Sequence, residues 1–184
     1  MFCFSQFSSF GFGGSRRGCA VAAAQLPAVA GLVRAFHCSP AVFVSCASGV
    51  SALARSLFPG AVVSSASSFA SASASGAAAR GVFVRRSAAL VQSLAASPAP
   101  LWCCWPGCAC PAGLVPSRSA GRCWGGFGSG SWAECAFAVG LGVPVLVGLP
   151  AGVLPPASWG QWRECWGAWL LVPVPAPGPQ ASLF

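Results

Sequence analysis

Residues 125–150 read GGFGSGSWAECAFAVGLGVPVLVGLP, and this stretch sets the expectation for the whole chain. Glycines 125, 126, 128 and 130 form a turn that leads into a helix opened by Ser131 and expected over Cys135–Leu141. Gly142 ends that helix, and the β-branched run Val143–Leu149 follows at once. Loop, helix and buried strand thus succeed one another directly. Glycine lets backbone N–H groups approach an anion closely, and a helix start adds the positive end of its dipole, so this turn suits a phosphate.

Reading outward, a first strand is expected near Phe7–Phe12, followed directly by Gly13-Gly14-Ser15-Arg16. In an open α/β sheet such a turn lies where phosphates bind, and Arg16 offers a bidentate fork. Leu26–Phe36 spaces its apolar residues helically, with Pro27 in the first turn and His37 as a C-terminal cap. Ala41–Cys46 is a short apolar strand, Val50–Phe58 a second helix and Ala61–Ser64 a third strand. Ser64–Ala79 is low-complexity Ser/Ala and reads as a loop. A third helix covers at least Ser87–Ala96, with Arg85 and Arg86 on its solvent face, and Leu101–Trp105 is a fourth strand. Residues 106–124 form a long loop running on to Phe127.

Apolar strands alternating with helices predict an α/β, Rossmann-like three-layer domain over residues 1–150, with a mostly parallel sheet of about five strands. The tail, 151–184, carries Trp159, Trp162, Trp166 and Trp169, and is expected to pack over the domain's edge.

Composition narrows the function classes. The chain has 184 residues, 55% of them hydrophobic and 7% charged, with a net charge of +8. That length supports one full core. All the cationic side chains are arginines, and only Glu134 and Glu164 oppose them, so most guanidinium groups face water or an external anion. Lys, Asp, Asn, Thr, Ile and Tyr are absent, and every codon for these six contains adenine. An adenine-poor strand stays open by chance, so an unselected reading frame is an alternative that predicts no cooperative melt.

Mean hydropathy is +0.71. The uncharged span Cys135–Trp162 is long enough to cross a bilayer, but Pro144, Pro150, Pro155 and Pro156 break its helical ladder, so no membrane partner is expected. Eleven cysteines include Cys103, Cys104, Cys108, Cys110 and Cys123 without a C-x-x-C pair. Reduced thiols in a cytoplasmic protein are the expectation, with no metal and no cofactor.

Three segments together resemble a known family: Gly13-Gly14-Ser15-Arg16, the run Cys46–Arg55 (CASGVSALAR), and Gly128-Ser129-Gly130-Ser131-Trp132-Ala133-Glu134. They are similar to the SLOG superfamily of Rossmann-like domains, which includes DNA-processing proteins of natural transformation and LOG-type phosphoribohydrolases. The resemblance covers about Phe7–Pro150. Its third segment is the most specific: against the LOG pattern G-G-x-G-T-x-x-E, Gly128, Gly130 and Glu134 match, Ser129 takes the free position, Phe127 stands at the first glycine and Ser131 at the threonine. Where relatives commonly carry an aspartate this chain has Ser51, and Ser45 or Cys46 replaces a loop glycine.

The resemblance implies a nucleotide or nucleoside-phosphate ligand held by Gly13, Gly14, Ser15, Arg16, Gly49, Gly128, Ser129, Gly130 and Ser131. It also implies a catalytic role for Glu134 at the ribose of a nucleoside 5′-monophosphate. The residues themselves offer another reading of Glu134, since Ser131-x-x-Glu134 fits a capping box. The Arg85-Arg86 pair suits a single-stranded nucleic-acid backbone as a further alternative. Oligomeric state is left open, a homo-oligomer included.

Overall fold

Short runs rich in β-branched and aromatic residues fold as strands where helices can cover both faces of a sheet. In this computed structural model, residues 4–16, 20–69 and 77–173 are described, 77–80 by backbone alone. Five such runs form parallel strands: β1 (Ser9–Gly14), β2 (Ala41–Ser45), β3 (Val62–Ser64), β4 (Pro100–Trp105) and β5 (Val145–Val147). Among the described residues the α-helices are α1 (Ala20–Phe36), α2 (Val50–Leu57), α3 (Ala77–Ala95), α4 (Ala120–Cys123) and α5 (Gly130–Gly140). A hairpin of β6 (Trp162–Cys165) and β7 (Ala168–Leu171) completes the sheet, with β7 antiparallel to β5. The strand order is β3-β2-β1-β4-β5-β7-β6. The fold is therefore α/β with a mostly parallel sheet, consistent with a Rossmann-like arrangement.

Side-chain alternation divides the core in two. Phe10, Phe12, Val42, Val44, Leu101, Cys103, Trp105 and Leu146 point to the face covered by α1 and α2, where they meet Leu26, Val29, Val33 and Ala54. Trp102, Cys104, Val145 and Val147 point to the other face, against Leu90, Val91 and Leu94 of α3 and Trp132, Cys135 and Phe137 of α5. Trp102 is fully buried and lies across β1, which only small residues there allow: a Cβ on Gly13 would stand 2.6 Å from Trp102 Cζ2.

Several expectations change. The sheet has seven strands rather than about five, because the tryptophan-bearing tail pairs through its backbone with β5 instead of merely lying over an edge. Residues 174–184 of that tail fall outside the described residues. Helix α1 starts six residues before Leu26, since the alanine-rich segment at 20–24 has high helical propensity. Pro27 consequently sits inside the helix, where the missing hydrogen bond would have gone to Ala23, an exposed position open to water. Helix α3 reaches back to Ala77, into the segment expected as loop, and Ala66–Phe69 forms a 3₁₀ turn; residues 70–76 lie outside the described residues. The 106–124 loop contains the short α4. Gly13 and Gly14 are the last residues of β1, held in register by Cys104 and Trp105, so the turn proper is Ser15-Arg16. Among the described residues no helix is long and apolar enough to cross a membrane.

Candidate functional site

The chain steps outward from β1 to β2 and β3, then returns to the other side of β1 at β4. Loops leaving β1 and β4 diverge at such a reversal and open a crevice beyond the carboxyl ends of the strands. A cleft of about 720 Å³ lies there, lined by residues following β1 (Ser15, Arg16), β2 (Ala47) and β4 (Gly107, Cys108), and by the start of α5. This volume falls within the roughly 300–1,000 Å³ common for small-molecule sites.

Most of the residues expected at a binding site meet in this cleft. Gly14, Ser15 and Arg16 on one wall and Gly128, Ser129, Gly130 and Ser131 on another share it, although more than a hundred positions separate them in the chain. The turn at Ser15-Arg16 is pinned from two sides. Ser15 N donates to Trp105 O at 3.0 Å, while Val50 N donates to Ser15 O at 3.2 Å and Ser48 Oγ to Arg16 O at 3.1 Å. Gly49 supports that turn from behind rather than facing the cleft. At φ 67° it lets α2 begin against the carbonyls of Ser15 and Arg16, which any Cβ would strike. Gly13 also stands behind the wall, where a Cβ would lie 2.6 Å from Glu134 Oε2.

At the start of α5 the cap is Ser129, whose side chain accepts from Trp132 N at 3.4 Å. This replaces the expected capping box, because the helix begins at Gly130, one position before Ser131. The N–H groups of Gly130 and Ser131 precede the first intrahelical donor, Ala133 N, and have no partner among the described residues. They and the helix dipole favour negative charge at that end of the cleft.

Glu134 does not turn back to the backbone. Its Oε1 accepts a hydrogen bond from Ser87 Oγ at 2.7 Å, on α3. Burial raises the carboxyl from its ordinary 4.5 to about 7, with the Ser87 hydrogen bond and the charges of Arg86 and Arg16 working the other way. A carboxyl in that range can hold or release a proton near neutrality.

Arg86 is the largest departure from the expected site. It is only 3% exposed, not on a solvent face, and it lines the cleft. Its Nη2 donates to Ser87 Oγ at 3.3 Å and its Nη1 to Cys46 Sγ at 3.6 Å, while Nε has no partner among the described residues. Phe83, one turn earlier on α3, carries Arg16 and Arg86 together: the Arg16 guanidinium lies 4.4 Å and that of Arg86 5.5 Å from its ring centroid. The signal for Arg86 was present in the sequence, since Val82, Arg86, Leu90 and Leu94 recur every four residues and Leu90 and Leu94 belong to the buried stripe. Phe83 and Ser87 carry no comparable signal.

Other candidates lie elsewhere. His37 reaches Phe4 O at 3.1 Å through Nε2 and packs on Phe10, remote from the cleft walls. Cys103 and Cys104 point to opposite faces of β4, and among the described residues no group of three or more His, Cys, Asp or Glu side chains is placed to hold a metal. No protein-family model, curated protein or solved structure matches the chain.

Proposed function

We propose that the cleft binds a nucleotide or nucleoside phosphate, the ligand class implied by the resemblance to the SLOG superfamily. One observation carries the reading: a buried guanidinium whose Nε has no partner among the described residues opens on the same cleft as two helix-start amides likewise without one, and Arg16. A desolvated guanidinium lacking a full set of acceptors is costly, and a phosphate supplies several oxygens at once. The aromatic side chains of Phe83 and Trp124 on the same walls suit a base or sugar face. Thermal melts with nucleoside mono-, di- and triphosphates test the reading. Binding raises the midpoint with phosphate-bearing ligands and not with the free nucleosides; no shift with any of them sinks it.

The second reading is a LOG-type phosphoribohydrolase acting on nucleoside 5′-monophosphates. It is favoured by Glu134, a buried carboxyl in the cleft wall whose pKa of about 7 allows proton transfer near neutrality. Such a carboxylate could stabilise positive charge developing on the ribose or activate a water. Release of free base from a nucleoside monophosphate, abolished in Glu134→Gln, supports the enzyme. A thermal shift without base release leaves a binder. The nucleic-acid alternative needs an exposed Arg85-Arg86 pair, and that pair is split: Arg85 donates to Phe69 O while Arg86 enters the cleft. An unselected reading frame predicts no cooperative melt, an outcome that removes both leading readings together.

A further inference from the structure

A cysteine thiol stands beside the cleft, outside its lining. Cys46 follows the last residue of β2, between Ser45 and Ala47, which both line the cleft, and its side chain is exposed. Its sulfur accepts from Ala66 N at 3.2 Å and from Arg86 Nη1 at 3.6 Å. Two N–H donors on one sulfur, one of them cationic, favour the thiolate over the thiol. Burial by itself would push Cys46 upward, but the Ala66 amide, the Arg86 guanidinium and the Ser65 hydroxyl outweigh it and leave the thiol below its ordinary value. Burial moves Cys103, Cys104, Cys110, Cys123 and Cys165 in the opposite direction.

Among the described residues, the charged groups placed against Cys46 and its neighbours are cationic. Arg86 faces it from α3, and Arg55 of α2 donates through Nη1 to the carbonyls of Ser45 and Ala47 on either side of it, the latter at 3.0 Å. The second, separate observation is Arg86 Nε, a buried donor without an acceptor among the described residues. An exposed thiol of this kind stands beside a guanidinium able to take on one more oxygen.

We propose that Cys46 is a modification site, a nucleophilic thiol oxidised by hydroperoxides, with Arg86 as the group that activates it and holds the oxidised form. In the reaction the Cys46 proton goes to solvent and the thiolate attacks one peroxide oxygen. The S–O bond forms as the O–O bond breaks, sulfur gives up two electrons and becomes a sulfenic acid, and the departing oxygen takes a proton to leave as water or an alcohol. The oxygen now on sulfur is an acceptor beside the guanidinium. The Cys46–Arg86 contact is present without any ligand, so the reaction needs none in the cleft, and a phosphate on Arg86 competes with the oxidised sulfur for the same guanidinium.

The test alkylates the intact protein with limiting iodoacetamide, where the thiolate displaces iodide, and follows each cysteine peptide by mass spectrometry. Cys46 is expected to react several-fold faster than the exposed Cys38 at pH 7, and Arg86→Gln to erase that advantage while leaving Cys38 unchanged. Hydrogen peroxide with a 1,3-diketone trap is expected to label Cys46 first, and Cys46→Ser to lose that adduct. Equal rates at Cys46 and Cys38, or an advantage that survives in Arg86→Gln, overturns the proposal. Should Arg86→Gln fail to fold, the pH profile of alkylation in the unaltered protein decides: a midpoint for Cys46 at or above the ordinary thiol value of 9.0 overturns it, and one below supports it.

Discussion

Replacing Glu134 with glutamine removes a titrating group from the cleft wall while keeping an acceptor for Ser87. Burial raises the carboxyl pKa from 4.5 to about 7 in the folded protein, and the sign of its effect on stability follows. Between those two values the unfolded chain has released a proton that the folded chain still holds, so stability falls as pH rises through that window. Below 4.5 both states are protonated and no penalty exists; above 7 the folded state carries a buried carboxylate and the penalty is complete. At 1.36 kcal/mol per pKa unit the full effect is about 3 kcal/mol. Glutamine cannot ionise, so E134Q should match the parent near pH 4 and exceed it by that amount at pH 8. For a chain of this size the gain corresponds to a melting midpoint higher by roughly 6–12 °C. Urea titrations followed by tryptophan fluorescence from pH 4 to 8 measure it, and the other titrating groups, common to both proteins, cancel in the difference. A difference that stays flat with pH refutes the reasoning. So does a parent that gains on the variant as pH rises, which would mean that Arg86 and Arg16 hold Glu134 ionised.

Other substitutions probe separate parts of the argument. Arg86→Gln removes a charge-assisted contact of about 1.5–3 kcal/mol and should weaken nucleoside monophosphate binding by roughly ten- to a hundredfold in calorimetry; unchanged affinity would place the phosphate elsewhere. Gly49→Ala forces a Cβ against the Ser15 carbonyl at a positive φ and should cost about 1–3 kcal/mol or more in a denaturant titration, with a near-neutral result contradicting the tight α2 start. A chain ending at Pro150 loses β6 and β7, baring the outer edge of β5 and removing Leu170, Leu171 and Trp159 from the two cores. It should aggregate or melt without cooperativity, whereas a monomeric cooperative melt would show the hairpin to be dispensable.

Much of this architecture could be read from local patterns. Apolar runs at Ala41–Ser45 and Pro100–Trp105 mark strands because a strand buried on both faces needs apolar residues throughout. The helix at Val50–Leu57 shows in its period and in the Phe58-Pro59-Gly60 stop. Even the meeting of Ser15 with Ser129 follows once both turns are placed at the carboxyl ends of parallel strands. The hairpin was hidden for a local reason as well. Gly167 reads as a helix breaker, yet Trp166 and Gly167 both adopt positive φ and close a two-residue turn between β6 and β7.

What the amino-acid order determined alone is therefore the succession of elements and the glycines and arginines at their ends, because helix and strand periods and turn chemistry act over a few neighbouring residues. Which side chains face the cleft was decided by packing between distant segments. Arg86 lies inside because its stripe on α3 docks beside α5 above β1, and Glu134 leaves its own helix end because Ser87 stands 2.7 Å away and Gly13 leaves room. Burial and hydrogen-bond partners across 47 positions depend on how layers stack. No window of sequence short enough to show a period contains both partners.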